Sequence, residues 1–131
     1  MPEHVHLLAR PDEDAPLHVA LRSIKLSVAQ RAITRCRETD APVLNRIKCS
    51  NGAVRFWLKG GGFDQNVRDL AEFQRHVRYI HRNPLARGLV ERPEDWRFSS
   101  VRWWMGNRDG ELPCDPPLGD PRGWSRWRGY V

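Results

Sequence analysis

Apolar and polar positions alternate along the opening residues "MPEHVHLL", where Val5 and Leu7 fall out of phase with His4, His6 and Leu8. That period of two, bounded by the turn-forming "ARPDEDAP", predicts a short strand over Val5–Ala9. The period then changes. In "LHVALRSIKLSVAQRAITRCRE" the residues Leu17, Leu21, Ile24, Val28 and Ala32 recur at helical spacing, with Arg22, Lys25, Arg31 and Arg35 away from that stripe. The pattern predicts a basic amphipathic helix. In "AVRFWLKGGGFDQNV", Val54, Phe56 and Leu58 alternate with Arg55 and Trp57 before three glycines, which predicts a second strand over Ala53–Leu58 running into a bend. "DLAEFQRHVRYIHRNP" predicts a second helix with Asp69 as N-cap and Pro84 as its stop. "GLVERPEDWRFSSVRWWMG" predicts a turn and a short third helix from Ser99 or Ser100. From Asn107 onward Pro, Gly, Asp and Arg dominate, interrupted by Trp124 and Trp127, and a loosely ordered tail is expected.

The second helix carries one residue out of pattern. At about 100° per residue, Leu70, Phe73, Val77 and Ile80 share a sector of roughly 80°, the face expected to be buried. Tyr79 points some 140° from its centre, and Glu72, His76 and Asn83 lie within roughly 60° of Tyr79. Residues four apart stack on a helix surface, so the phenol of Tyr79 and the amide of Asn83 can address one point. An exposed tyrosine making a surface hydrogen bond satisfies the same pattern. His81, beside the apolar sector, is expected to be a half-buried histidine with its hydrogen bonds met.

Charge and composition narrow the partners. Twenty-two Lys and Arg against sixteen Asp and Glu give a formal charge of +6 and a pI of about 9.9 in 131 residues. The lysines are Lys25, Lys48 and Lys59, so 19 of the 22 basic residues are Arg, whose planar fork suits phosphate and whose face stacks on bases. Nucleic acid is the partner such a surface attracts, although a coding bias toward Arg gives the same count. The length is that of one ordinary domain. Cys36, Cys49 and Cys114 are widely spaced with no CxxC pair, the usage of a reducing compartment. No run approaches the ~18 apolar residues of a membrane helix, and Pro11, Asp12, Glu13 and Asp14 cut the apolar start short of a signal peptide. A soluble, cytoplasmic protein with no membrane partner is expected.

His4 and His6, two apart on an extended segment, present both imidazoles to one side. Two nitrogens are two legs of a metal site, and a structural zinc site completed by the unpaired cysteines is disfavoured by their spacing. An amide oxygen from a helix packed alongside would instead complete a mixed nitrogen and oxygen site for magnesium or manganese bound to phosphate, and Asn83 is such a group. Tyr79 would then lie one helical turn from the third ligand. A phenol is a poor nucleophile at neutral pH, and a nearby divalent cation favours its ionised form and stabilises charge on phosphoryl oxygens. A covalent phosphotyrosine also retains the energy of the broken bond, which suits strand transfer.

Three segments in order, "MPEHVHLL", "RFWLKGGGFDQNV" and "YIHRNPLARGLVERPEDWRFSS", closely resemble the REP-associated tyrosine transposases, in the single-tyrosine branch of the HUH endonuclease superfamily. The resemblance covers about Met1 to Gly106, leaving 107–131 as a tail. It implies an α+β fold, a ferredoxin-like α/β sandwich with the histidine strand central in an antiparallel sheet. By position, His4 and His6 match the metal pair, Tyr79 the nucleophile and Asn83 the polar third ligand. The resemblance implies magnesium- or manganese-dependent cleavage of single-stranded DNA beside hairpins, leaving a 5′-phosphotyrosine, in a bacterial, nucleoid-associated protein acting as monomer or homodimer. The sequence departs at Glu3, where Asn or Asp is usual, a change expected to matter little.

On this reading Arg22, Lys25, Arg31 and Arg35 become a candidate DNA-facing surface, with a solvated helix face as the alternative. Arg97, Arg102 and Trp103, in a stretch that also holds Trp96 and Trp104, become candidates for stacking and gripping unpaired bases, against simple packing for at least one of the tryptophans. Two strands alone make a marginal sheet, and the resembled fold has further strands and a helix ahead of the histidine motif. The sequence is therefore expected to lack the N-terminal part of its domain. That leaves two functional readings, an active strand-joining enzyme and a catalytically impaired DNA-binding remnant of one.

Overall fold

The computed structural model describes residues 1–11, 14–59, 62–107, 112 and 114–115, so the expected tail falls almost wholly outside the described residues. These contain four α-helices: α1 (Leu17–Glu38), α2 (Val43–Arg46), α3 (Leu70–Ala86) and α4 (Val101–Trp104), with a 3₁₀ turn at Pro93–Asp95 between the last two. The chain divides into two compact units, one of residues 9–65 and one of residues 1–8 with 66 onward.

No strand or sheet forms among the described residues, which overturns the expected ferredoxin-like sandwich with its antiparallel sheet. The reason is pairing. A strand exists only in a ladder, and no described segment pairs with residues 5–9. The alternation itself survives: His4, His6 and Leu8 are half-buried, while Val5 and Leu7 remain 68% and 54% exposed.

The second expected strand shrinks to the returning limb of a tight hairpin. Lys48 and Val54 form an antiparallel bridge, with the Cys49 N–H donating to the Ala53 carbonyl at 2.7 Å and the Arg55 N–H to that of Ile47 at 3.0 Å. Asn51 and Gly52 make the turn, Gly52 at a positive φ of 81° and the Asn51 side chain accepting from the Ala53 N–H. Beyond Arg55 the ladder stops, because the Trp57 indole N–H turns aside to donate to the Lys25 carbonyl of α1 at 2.8 Å.

That contact also corrects the expected face of α1. The half-buried residues are Leu17, Ala20, Leu21, Lys25, Ala29, Ala32, Ile33 and Cys36, so Leu17, Leu21 and Ala32 of the predicted stripe keep their place while Ile24 and Val28 are exposed. The contacting face is thus rotated by about 40° from the apolar stripe, at 100° per residue. Small residues there let Trp57 lie against the helix, with the Lys25 ammonium 6.0 Å from its ring centroid.

In the other unit α3 forms as its sequence directs. The Asp69 side chain accepts from the Glu72 N–H at 2.8 Å, and the Glu72 carboxylate in return accepts from the Arg68 N–H. Pro84 does not stop the helix; it is buried in the last turn, which ends two residues later at Ala86. The stop is Gly88, at a φ of 65°: its N–H donates to the Leu85 carbonyl and the Leu89 N–H to that of Pro84, the paired bonds of a Schellman ending. The apolar side of α3 packs on the 3₁₀ turn, and Val77, His81 and Pro84 are buried on it. Val101 of α4 is buried as well, and Trp104 lies 6.1 Å from the Phe73 ring and 6.4 Å from that of His81. The Arg102 Nε donates to the Glu94 carbonyl at 2.8 Å, fastening α4 to the 3₁₀ turn.

Candidate active site

Tyr79 stands on the face of α3 opposite this small core and is 57% exposed. The helix places Glu72, His76 and Asn83 on the same side, and the opening segment runs past it. His6 meets the phenol ring edge-on, at a centroid distance of 5.3 Å and an interplanar angle of 77°. His4 and His6 turn their Nε2 atoms toward each other at 3.0 Å, their rings 4.7 Å apart and nearly perpendicular. The predicted pair and the predicted tyrosine therefore lie in one cluster. On α3, Asn83 follows Tyr79 by one turn. Two polar atoms on this face have no hydrogen-bond partner although both are buried, Asn83 Oδ1 and His76 Nε2. A buried polar atom without a partner costs about 1–3 kcal/mol, so a pair of them beside an exposed phenol suits a site whose partner is a ligand.

The opening segment is anchored by Glu3. The Arg87 guanidinium, in the C-cap of α3, donates to the Glu3 carboxylate, which also lies 3.3 Å from His4 Nδ1. A carboxylate at Nδ1 favours the tautomer protonated there and leaves the Nε2 lone pair available. Glu3 thus anchors the opening segment to the helix that carries Tyr79. Burial, foremost, and the neighbouring His4 hold His6 below the ordinary imidazole range, which likewise keeps it neutral.

No group of three or more His, Cys, Asp or Glu that could hold a metal is present among the described residues. The donors that do converge are two imidazole nitrogens, with an orphaned amide oxygen on the adjoining helix. Neighbouring ligands about 2.1 Å from an octahedral cation lie about 3 Å apart, the separation of the two Nε2 atoms. The two nitrogens thus have the spacing of neighbouring ligands on such a cation, and Asn83 Oδ1 is an oxygen donor without a partner on the adjoining helix.

A curated protein of Haemophilus influenzae provisionally named a REP-associated tyrosine transposase is 29% identical over 129 aligned residues, spanning 88% of this chain and 68% of that protein. The chain is a relative of the REP-associated tyrosine transposases. No protein-family profile and no solved structure matches it. No helix among the described residues is long and apolar enough to cross a membrane.

The residues expected to meet DNA lie on two elements, α1 in one unit and the stretch around α4 in the other. Arg22, Arg31 and Arg35 of α1 are exposed, Arg35 lying 3.7 Å from Glu38, whereas Lys25 is committed to Trp57. Arg97 lies 5.5 Å from the Phe98 ring, Arg102 is engaged with Glu94, and Trp103 packs edge-on against Trp104 at 5.5 Å. The expected site residues did not include His76 or the arginines that share the helix face with Tyr79. Helical spacing around Tyr79 carried that signal, because Arg75 and Arg82 stand four before and three after it.

Proposed function

We propose that this relative of the REP-associated tyrosine transposases is a single-stranded DNA endonuclease and strand-transferase that cuts beside hairpins with Tyr79 as nucleophile. The observation that carries the reading is the cluster of His4, His6 and Tyr79, with the two Nε2 atoms 3.0 Å apart and the His6 ring against the phenol. The exposure of Tyr79 supports it, since a nucleophile must reach a substrate from solvent.

In the forward step the phenol gives up its proton and its oxygen bonds to phosphorus, while the 3′ oxygen of the preceding nucleotide departs and takes up a proton. The products are a 5′-phosphotyrosine and a 3′-hydroxyl. Rejoining is the reverse step with the same or another 3′-hydroxyl, and the energy of the broken bond is retained in the ester. His4 and His6 through Nε2, and Asn83 through Oδ1, would hold magnesium or manganese, which when bound supplies charge stabilisation at the phosphoryl oxygens. Glu3 fixes the orientation of His4, and Arg87 ties Glu3 to the helix that carries Tyr79. His6, packed on the phenol, restricts its ring to one orientation.

The test is a hairpin oligonucleotide labelled at its 3′ end, incubated with manganese and either the parent chain or Tyr79→Phe. The parent is expected to give a labelled protein adduct that survives denaturation, and Tyr79→Phe to lose roughly 10³-fold or more of it, the scale of removing a covalent nucleophile. Cleavage without an adduct, or equal adduct from both proteins, would overturn the mechanism. Salt-dependent binding by both with cleavage by neither would leave a DNA-binding protein only.

A further inference from the structure

The face of α3 around Tyr79 has two chemically different flanks. At 100° per residue His76 and Asn83 lie within about 60° of Tyr79 on one side, and Arg75 and Arg82 within about 60° on the other, with Arg78 next beyond them. Tyr79 stands on the boundary. Between the arginine side chains and the phenol runs an open groove of about 430 Å³, lined by Arg75, Arg78, Tyr79, Arg82 and Ala86 and bordered on the far side by Asn83. Arg75 is braced by Glu72 at 3.3 Å, and all three arginines are exposed. Arg75 and Arg82 are seven residues apart, about 10 Å along the helix axis, with the phenol between them.

We propose that Arg75, Arg78 and Arg82 form a track for the sugar-phosphate backbone of single-stranded DNA, holding the phosphates on the 3′ side of the cut, in the strand that remains joined to Tyr79. The proposal rests on the reading of Tyr79 as nucleophile. In an in-line displacement the entering phenol oxygen and the departing 3′ oxygen occupy opposite apices at phosphorus, so the 5′-side strand leads away from α3. The O5′ ester stays equatorial and leads along the helix surface. Of the two flanks open to it there, one presents the orphaned His76 and Asn83 atoms, and the other presents three guanidiniums suited to phosphate. A merely solvated arginine face would give the same sequence but no defined register between these charges and the reacting phosphate.

Binding is measured without cleavage, in the Tyr79→Phe chain, by fluorescence anisotropy with a labelled oligothymidylate of twenty nucleotides across a potassium chloride series. Arg75→Gln with Arg82→Gln is expected to weaken binding about tenfold or more. The slope of log affinity against log salt should fall by about 1.4, since each lost phosphate contact on a single strand removes about 0.7. Arg75→Lys with Arg82→Lys should keep the slope, and an unchanged helical circular dichroism spectrum shows that the Gln variant is folded. The side is read in the parent background with the hairpin oligonucleotide, once its cut position is known. Neutral methylphosphonates at the two phosphates 3′ of the cut should slow the parent and leave the Gln variant no slower than before; the same change 5′ of the cut should slow both alike. An unchanged salt slope, or a Gln variant insensitive to the 5′ change instead, overturns the track. Persistence of a Tyr79-dependent adduct in that case would remove the track and leave the nucleophile standing, whereas an adduct surviving Tyr79→Phe would remove the nucleophile itself.

Discussion

His81 is an imidazole with 1% of its surface exposed, its Nε2 2.9 Å from the Ser100 hydroxyl, and burial pushes it down to about 4. A free imidazole in the unfolded chain titrates near 6.5, so as pH falls the unfolded state takes up the proton first. The stability that neutral His81 contributes is whole above about pH 6.5 and drains away between there and about pH 4. Linkage puts the loss at roughly 2 kcal/mol between pH 7.5 and pH 5. The check is urea unfolding of the parent and His81→Gln at both pH values. The variant should lack that part of the decline, and an identical decline in both would show that His81 does not control it. His81 also shows how far single residues were legible. Its place beside the apolar sector follows from helical angle alone, as does the position of Tyr79 opposite. Glu3 was not legible, because its role depends on Arg87, 84 residues away, reaching back to it. Nor were the orphaned atoms of His76 and Asn83, since satisfaction of a polar group is a property of the surroundings and not of the sequence.

Among the elements, α3 matters most, because it carries Tyr79, Asn83 and the arginine track on one face and most of the small core on the other. Its ends are fixed by local chemistry, Asp69 at the start and Gly88 at the finish. A Cβ at Gly88 would meet no atom within 4 Å, so the cost of Gly88→Ala comes only from the backbone conformation at a φ of 65°. That cost is about 1–2 kcal/mol, and Gly88→Asn, which tolerates the left-handed region better, should lose less. Midpoints of urea unfolding followed by helical circular dichroism decide it; equal stability of Gly88→Ala and the parent would show that the Schellman ending is dispensable. Helices were the legible part of the fold, since an N-cap, a 3.6-residue period and a C-terminal glycine act within a few residues of one another. Strands were not. The alternation at 4–8 and 53–58 is real, but a sheet depends on a partner segment, and the hairpin partner Ile47–Cys49 is too short to announce itself except through Asn51-Gly52. The face of α1 was legible only in part for a related reason: Trp57 draws burial toward Lys25, Ala29 and Ile33, on one side of the apolar stripe.

At the scale of the whole molecule, apolar side chains outnumber the places to bury them among the described residues. Among the described residues the buried hydrophobic ones are Val77 and Val101, whereas Val19, Ile24, Leu26 and Val28 of α1 are all exposed, as are Val5, Leu7, Leu58 and Phe63. Scattered apolar residues are ordinary on a protein surface, but four on one helix are not, and they fall on two sides of α1 rather than along one seam. The charge of +6 counters association by mutual repulsion, and salt screens that repulsion while strengthening apolar contact. The chain should therefore bind a hydrophobic dye such as anilinonaphthalene sulfonate at neutral pH while its helical spectrum is intact. Its scattering should rise with added sodium sulfate. Ile24→Gln with Val28→Gln should lower both signals by a clear fraction, since neither side chain is buried in the folded unit and their replacement removes apolar surface without opening a cavity. Dye fluorescence at the level of a well-packed protein, or a variant that unfolds, would mean that Ile24 and Val28 are covered in solution, and the face assigned to α1 would then be wrong.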